Sequence, residues 1–195
     1  MQARPEVAAV VRPRVATITA RLCVALALIA IDLASKHWVF QWMDSLPAGA
    51  SYDRHGHFRY PLIGQWLACM LSYNQGMAWG IQIPPYVLIG ARAIAVLFLV
   101  YLVARSPLGA RMNAAAFVLI LAGAAGNLYD NLFEESRTKG HPFGAVRDFI
   151  DVYFYRWDYH FPTFNVADSC ITVGAVCLFL ASLPRSPAHS GGGGS

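Results

Sequence analysis

The chain has 195 residues, 56% of them hydrophobic and only 13% charged, whereas a soluble domain carries about a quarter charged residues. That balance excludes a disordered chain or a nucleic-acid-binding tail. Fifteen Lys and Arg against eleven Asp and Glu leave a net charge of +4, a mild excess whose placement matters more than its size.

Most apolar residues fall into four blocks, 18–42, 86–104, 113–132 and 164–183, each close to the roughly 20 residues that a spanning helix needs. Four spans put both termini on one side. Arg4, Arg12, Arg14 and Arg21, then Arg105 and Arg111, then Arg185 gather on that side, which makes it cytoplasmic by the positive-inside rule. The first block runs on past Asp32 and Lys36, so it reads as an uncleaved helix rather than a signal peptide. Arg21 and Leu22 stand before Cys23 in place of the small residues of a lipoprotein processing site. Four cysteines without C-x-x-C or Cys/His ligand spacing argue against a zinc or thioredoxin-type site. Cys23, Cys170 and Cys177 lie in apolar blocks and read as small buried hydrophobes.

Between the first two spans, residues 44–83 hold β-leaning pieces at 57–63 and 65–73, with Gly76 and Gly80 at turn-like positions. They predict a small sheet on the outer surface. Pro84 and Pro85 suit the start of the second helix. His55 and His57 in the polar loop read as solvated. In the loop 133–163, the polar piece 134–141 reads as an insertion and the apolar-aromatic part 146–161 as packed surface. Trp38 and Trp42, with Tyr155, Trp157 and Tyr159, fit an interfacial aromatic belt. The final GGGGS, 191–195, reads as an artificial linker, leaving 1–190 as one membrane domain.

Ionisable groups inside spans are costly, so each is a site hypothesis. Asp32 and Lys36 form an i,i+4 pair, read as self-neutralising with the lysine snorkelling outward. Arg92 has no partner in its own stretch of sequence. Asn127-Leu-Tyr-Asp130 closes the third span and Asn165-Val-Ala-Asp168 opens the fourth, two N-x-x-D quartets at one membrane level. Gly123 and Gly126 let another backbone approach the third helix closely. In Val146-Arg-Asp-Phe-Ile-Asp-Val-Tyr153 acids alternate with large apolar residues, and the segment is placed to aim Asp148 toward Asp168. Two carboxylates brought together share a proton, which suits activation of water against a peptide carbonyl. On the residues alone, Asp130 competes equally with Asp148 for the partner role.

Five pieces in order carry a resemblance: Asp32-Leu-Ala-Ser-Lys36, Asn74-Gln-Gly-Met-Ala-Trp79, Gly123-Ala-Ala-Gly-Asn-Leu-Tyr-Asp130, Val146-Arg-Asp-Phe-Ile-Asp151 and Phe164-Asn-Val-Ala-Asp-Ser-Cys-Ile171. Through them the chain resembles the lipoprotein signal peptidase (signal peptidase II) family of bacterial membrane aspartic peptidases. The resemblance implies an all-α membrane fold, four transmembrane helices with a small extracytoplasmic β-cradle. It also implies an endopeptidase of the bacterial inner membrane, active at the extracytoplasmic face, that removes signal peptides from prolipoproteins by cutting before the diacylglyceryl-modified cysteine. Asp148 and Asp168 map onto the catalytic aspartates. Asn74, Gly76, Asn127, Asp130, Asn131 and Asn165 map onto substrate-binding or supporting positions, and Asp32 and Lys36 onto a structural pair. No metal or other cofactor is implied. The expected partners are the lipid-modified precursor, membrane lipids and globomycin-type inhibitors, with no nucleic acid, and the chain is expected to act as a monomer. Two departures stand out. Asn131 occupies a position where the family usually has arginine, so an amide has to serve there, and the link from Asp130 to Asp148 is longer by the piece 134–141. Two rival readings are an ion pathway through Asp32, Asp130 and Asp168, and a lipoprotein-binding protein without chemistry.

Overall fold

The computed structural model describes residues 13–47, 58–75, 84–135 and 144–184. Gly76, Gly80, His55, His57, Arg4, Arg12, Arg185, most of the piece 134–141 and the GGGGS tail lie outside the described residues. Among the described residues four helices form: α1 (Val15–Asp44), α2 (Pro85–Arg105), α3 (Arg111–Phe133) and α4 (Val166–Ser182). Four strands accompany them, β1 (Arg59–Ile63), β2 (Leu67–Asn74), β3 (Val146–Phe154) and β4 (Tyr159–His160).

Leu, Ala, Val and Ile fill the helices, and their weak amphipathicity fits a setting in which both faces meet apolar surroundings. α1, α2 and α3 are long and apolar enough to cross a membrane. α4, with 17 residues, is shorter than the expected fourth block. Its first turn starts later because Phe164 is taken into a β-bridge with Ile150 and Asn165 becomes the N-cap. α3 is the central helix, packed against α1, α2 and α4. A small core of Ala25, Val103, Val118, Leu121 and Ala122 joins the first three helices. Outward faces stay apolar: Ile94, Leu97 and Phe98 on α2 and Val173, Val176 and Phe179 on α4 are exposed, a surface suited to lipid rather than to water. Cys23 belongs to such a face and is exposed, not buried as expected, since the helix turns it away from α3 and α2.

Gly123 and Gly126 allow the tightest contact in the bundle. A Cβ at Gly123 would stand 2.2 Å from the Ala167 carbonyl oxygen, and one at Gly126 would stand 2.5 Å from a carboxylate oxygen of Asp32. α3 therefore lies directly against the first turn of α4.

The strands form one antiparallel sheet in the order β1-β2-β3-β4. The sheet is wider than the expected cradle, because the segment read as packed surface supplies β3 and β4. β3 is an interior strand, and Val146, Arg147, Asp148 and Phe149 are all buried. Asp151 holds the sheet together from within: it accepts from Arg59 Nε of β1 at 2.5 Å and pairs with His160 Nδ1 of β4 at 2.8 Å. Between Cys69 and Ser72 the register against β3 slips by one residue, a bulge that ends with Ser72 opposite Asp148. Such bulges re-aim side chains next to functional sites.

Candidate active site

The seam between the sheet and the helices collects the costly groups. Phe164, at the end of the segment before α4, donates to Ile150 O at 3.1 Å and accepts from Ile150 N at 2.8 Å. That pairing stitches β3 to the start of α4. It brings Asp148, two residues before Ile150, beside the first turn that carries Asp168.

Asn165 caps that turn. Its side-chain oxygen accepts from Asp168 N at 2.9 Å, and Asp168 Oδ2 accepts from Asn165 N at 3.2 Å, a reciprocal capping box. The same Asn165 uses Nδ2 to donate to Asp148 Oδ1 at 2.6 Å and to Asn127 Oδ1 at 3.2 Å. Asn127, on α3, donates in turn to Asp168 Oδ1 at 2.8 Å. A chain of amides thus runs from Asp148 through Asn165 and Asn127 to Asp168. Both carboxylates belong to one hydrogen-bonded unit.

The orientation of Asn127 has a cause one layer further in. Its oxygen accepts from Lys36 Nζ at 3.0 Å, which leaves only the N–H side to face Asp168. Lys36 does not snorkel; it is fully buried and points inward. Its ammonium lies 2.8 Å from Asp32 and 3.3 Å from Asp130, and burial with two carboxylates and an amide oxygen removes any gain from reaching outward. Asp32 also accepts from Ala167 N at 2.8 Å, pinning the first turn of α4 to α1.

Asp130 and Asp148 differ in what surrounds them. Asp130 accepts from Arg147 N at 2.9 Å and from Arg147 Nη2 at 2.8 Å, besides facing Lys36. Two cations occupy its oxygens, so it works as an anchor that holds β3 against α3. Asp148 meets amides instead, Asn165 and the side chain of Asn74. Burial first, and the neighbouring Asp168 charge second, push its carboxyl from the ordinary 3.8 up to about 7. Asp168 is half-buried, and Asp148 lines a cleft of about 390 Å³ together with Ser72, Asn74, Gln75 and Thr163. One carboxyl of the unit therefore lines the cleft, and the other is partly exposed.

Among the described residues, Asn131 makes no hydrogen bond to Asp148 or Asp168. Its Nδ2 donates to Gly144 O at 2.7 Å and its oxygen accepts from Arg92 Nη1 of α2. Arg92 is thus given a partner 39 residues away, which no local pattern signals. Gln75 was also missed: its amide nitrogen is buried without a hydrogen-bond partner at the wall of the cleft. Its only sequence signal is its place beside Asn74. Among the described residues, no three His, Cys, Asp or Glu side chains come together so as to hold a metal ion.

A family model described as signal peptidase (SPase) II matches residues 24–184. A lipoprotein signal peptidase of Yersinia pseudotuberculosis serotype O:1b is 32% identical over 171 residues, 86% of this chain and 88% of that protein. Another, of Francisella tularensis subsp. novicida, is 44% identical over 90 residues, 46% of this chain, and the match spans only about half of that relative's length, 49%. A bacterial membrane enzyme solved by the in meso method at 1.9 Å shares the fold with a TM-score of 0.63 at 25% identity, covering 87% of this chain and 96% of that one. With the family model matched from the first helix to the end of the fourth, the chain belongs to the signal peptidase II family.

Proposed function

We propose that this chain is a membrane-embedded aspartic endopeptidase that removes signal peptides from prolipoproteins, cutting before the diacylglyceryl-modified cysteine. The observation that carries this reading is the single hydrogen-bonded unit of Asp148, Asn165, Asn127 and Asp168, with one acid held near neutrality. In this reading Asp148 carries the shared proton and Asp168 is the carboxylate. Asp168 takes a proton from water as the water oxygen attacks the scissile carbonyl carbon, while Asp148 donates its proton to the carbonyl oxygen. The tetrahedral diol then collapses: the C–N bond breaks, and the proton held by Asp168 passes to the leaving amine. The proton on the diol oxygen returns to Asp148, so the dyad ends as it began. Asn74 and the unpartnered Gln75 amide supply N–H donors to substrate oxygens in the cleft.

The site lies where the apolar helices meet the sheet, and a substrate anchored by acyl chains presents its scissile bond at the edge of the membrane. In this reading all four helices cross the inner membrane, both termini are cytoplasmic, the sheet faces the extracytoplasmic side, and the chain acts as a monomer sensitive to globomycin-type inhibitors. The buried charges Asp32, Lys36, Asp130, Arg147 and Asp148 gather around this seam, which favours a peptidase over an ion relay that needs groups across the whole bilayer. The test uses the full chain purified in detergent with a diacylglyceryl-modified precursor. Cleavage by the parent and none by folded Asp168→Asn is expected; full cleavage by that variant overturns the assignment.

A further inference from the structure

α2 is apolar from Pro85 to Tyr101 except for Arg92. A guanidinium at such a place is costly to insert, so its presence asks for a use. Arg92 is half-buried and is aimed by Asn131, whose amide cannot turn over, because its N–H side is committed to Gly144 O. Arg92 lies within Coulombic reach of both Asp168 and Asp148, yet among the described residues it forms an ion pair with neither. The guanidinium is therefore a cation held beside the dyad but off it. One of its five N–H donors goes to Asn131, which leaves a fork of donors for a ligand oxygen.

The geometry points to Arg92 as a substrate-binding residue: its guanidinium, braced by Asn131, receives a main-chain carbonyl oxygen of the extended substrate beside Asp148 and Asp168. The chemistry fits a peptide more closely than a simple counter-ion, because a cation meant only to neutralise the pair would contact a carboxylate. A planar fork can take a carbonyl lone pair without quenching either acid.

This inference rests on the peptidase reading, and its test separates the two. Kinetics are measured on a diacylglyceryl-modified precursor for the parent, Arg92→Gln, Arg92→Lys and the double exchange Arg92→Asn with Asn131→Arg, each checked for folding by its melting temperature. Parent cleavage together with none by Asp168→Asn keeps the peptidase reading in place, whatever Arg92 does. Loss of one charge-assisted hydrogen bond to substrate, shared by ground and transition states, raises KM about tenfold with kcat little changed. Arg92→Lys, which keeps the charge but loses the fork, shows the same rise, and it serves as the readout if the Gln variant does not fold. The double exchange brings KM back toward the parent value, because the guanidinium returns from the neighbouring helix; a merely structural arginine gives no such rescue. KM unchanged in either folded single variant overturns the inference.

Discussion

Replacing Asp148 by Asn should stabilise the fold at high pH, and the effect should grow with pH. Burial and the Asp168 charge push the Asp148 carboxyl from 3.8 up to about 7. An acid shifted upward binds its proton more tightly in the native state, so its penalty is absent below 3.8, builds through the interval, and is complete above about 7. Fully ionised, that penalty is on the order of 4 kcal/mol. Between about pH 5 and about pH 8 it grows by roughly 2 to 3 kcal/mol. Asn has the same shape but never ionises. Its oxygen still accepts from Asn165 Nδ2, whereas its own N–H side now faces donors, at a cost of about 1 to 3 kcal/mol that does not depend on pH. The comparison is therefore a double difference. Unfolding of parent and variant is titrated with SDS in detergent micelles at both pH values. The advantage of the variant over the parent is expected to increase by roughly 2 to 3 kcal/mol from the lower to the higher pH. An advantage that is the same at both values would refute the claim that the native state holds this acid protonated.

In the proposed mechanism the same upward shift sets the pH dependence of cleavage: activity then needs the proton on the pair, so it should fall as pH rises through about 7, with the midpoint belonging to the pair rather than to one residue. A rate that instead declines around the ordinary carboxylate range would contradict the assignment of the acid role to Asp148. Lys36→Met leaves Asp32 and Asp130 buried without their shared cation and should lose about 3 to 5 kcal/mol of stability; SDS titration of the purified variant reads it, and it should also free Asn127 to turn over. Gly123→Ala would put a methyl 2.2 Å from the Ala167 carbonyl oxygen, so α4 must shift off α3; a loss of about 1 to 3 kcal/mol, seen as a lower melting temperature with reduced cleavage, is expected, while a parent-like protein would show that the helices are packed more loosely than the structure has them.

What could be read from the sequence was where polar groups sit, because each stands out against an apolar block. The quartet Asn165 to Asp168 is a capping signal in its own right, and it marked both the start of α4 and one of the two acids. What could not be read was direction. Lys36 looks like a snorkelling residue until Asp130 and Asn127, which are 94 and 91 positions further on, close around it; the local i,i+4 pair is the same in either case. β3 hides for a related reason. A strand with one wet face alternates apolar with polar side chains, but here the polar members Arg147, Asp148 and Asp151 are buried against Asp130, Asn165 and Arg59, so the alternation does not mark an inner and an outer face. The twenty positions between Asp148 and Asp168 carry no distance either. Two backbone bonds between Ile150 and Phe164 supply it: they hold the strand to the N-terminal side of α4, and the Asn165 that follows reaches both acids because it is the cap of that helix. In the proposed reading, a substitution that weakens this short pairing without touching an acid would therefore part Asp148 from Asp168 and lower cleavage of the diacylglyceryl-modified precursor.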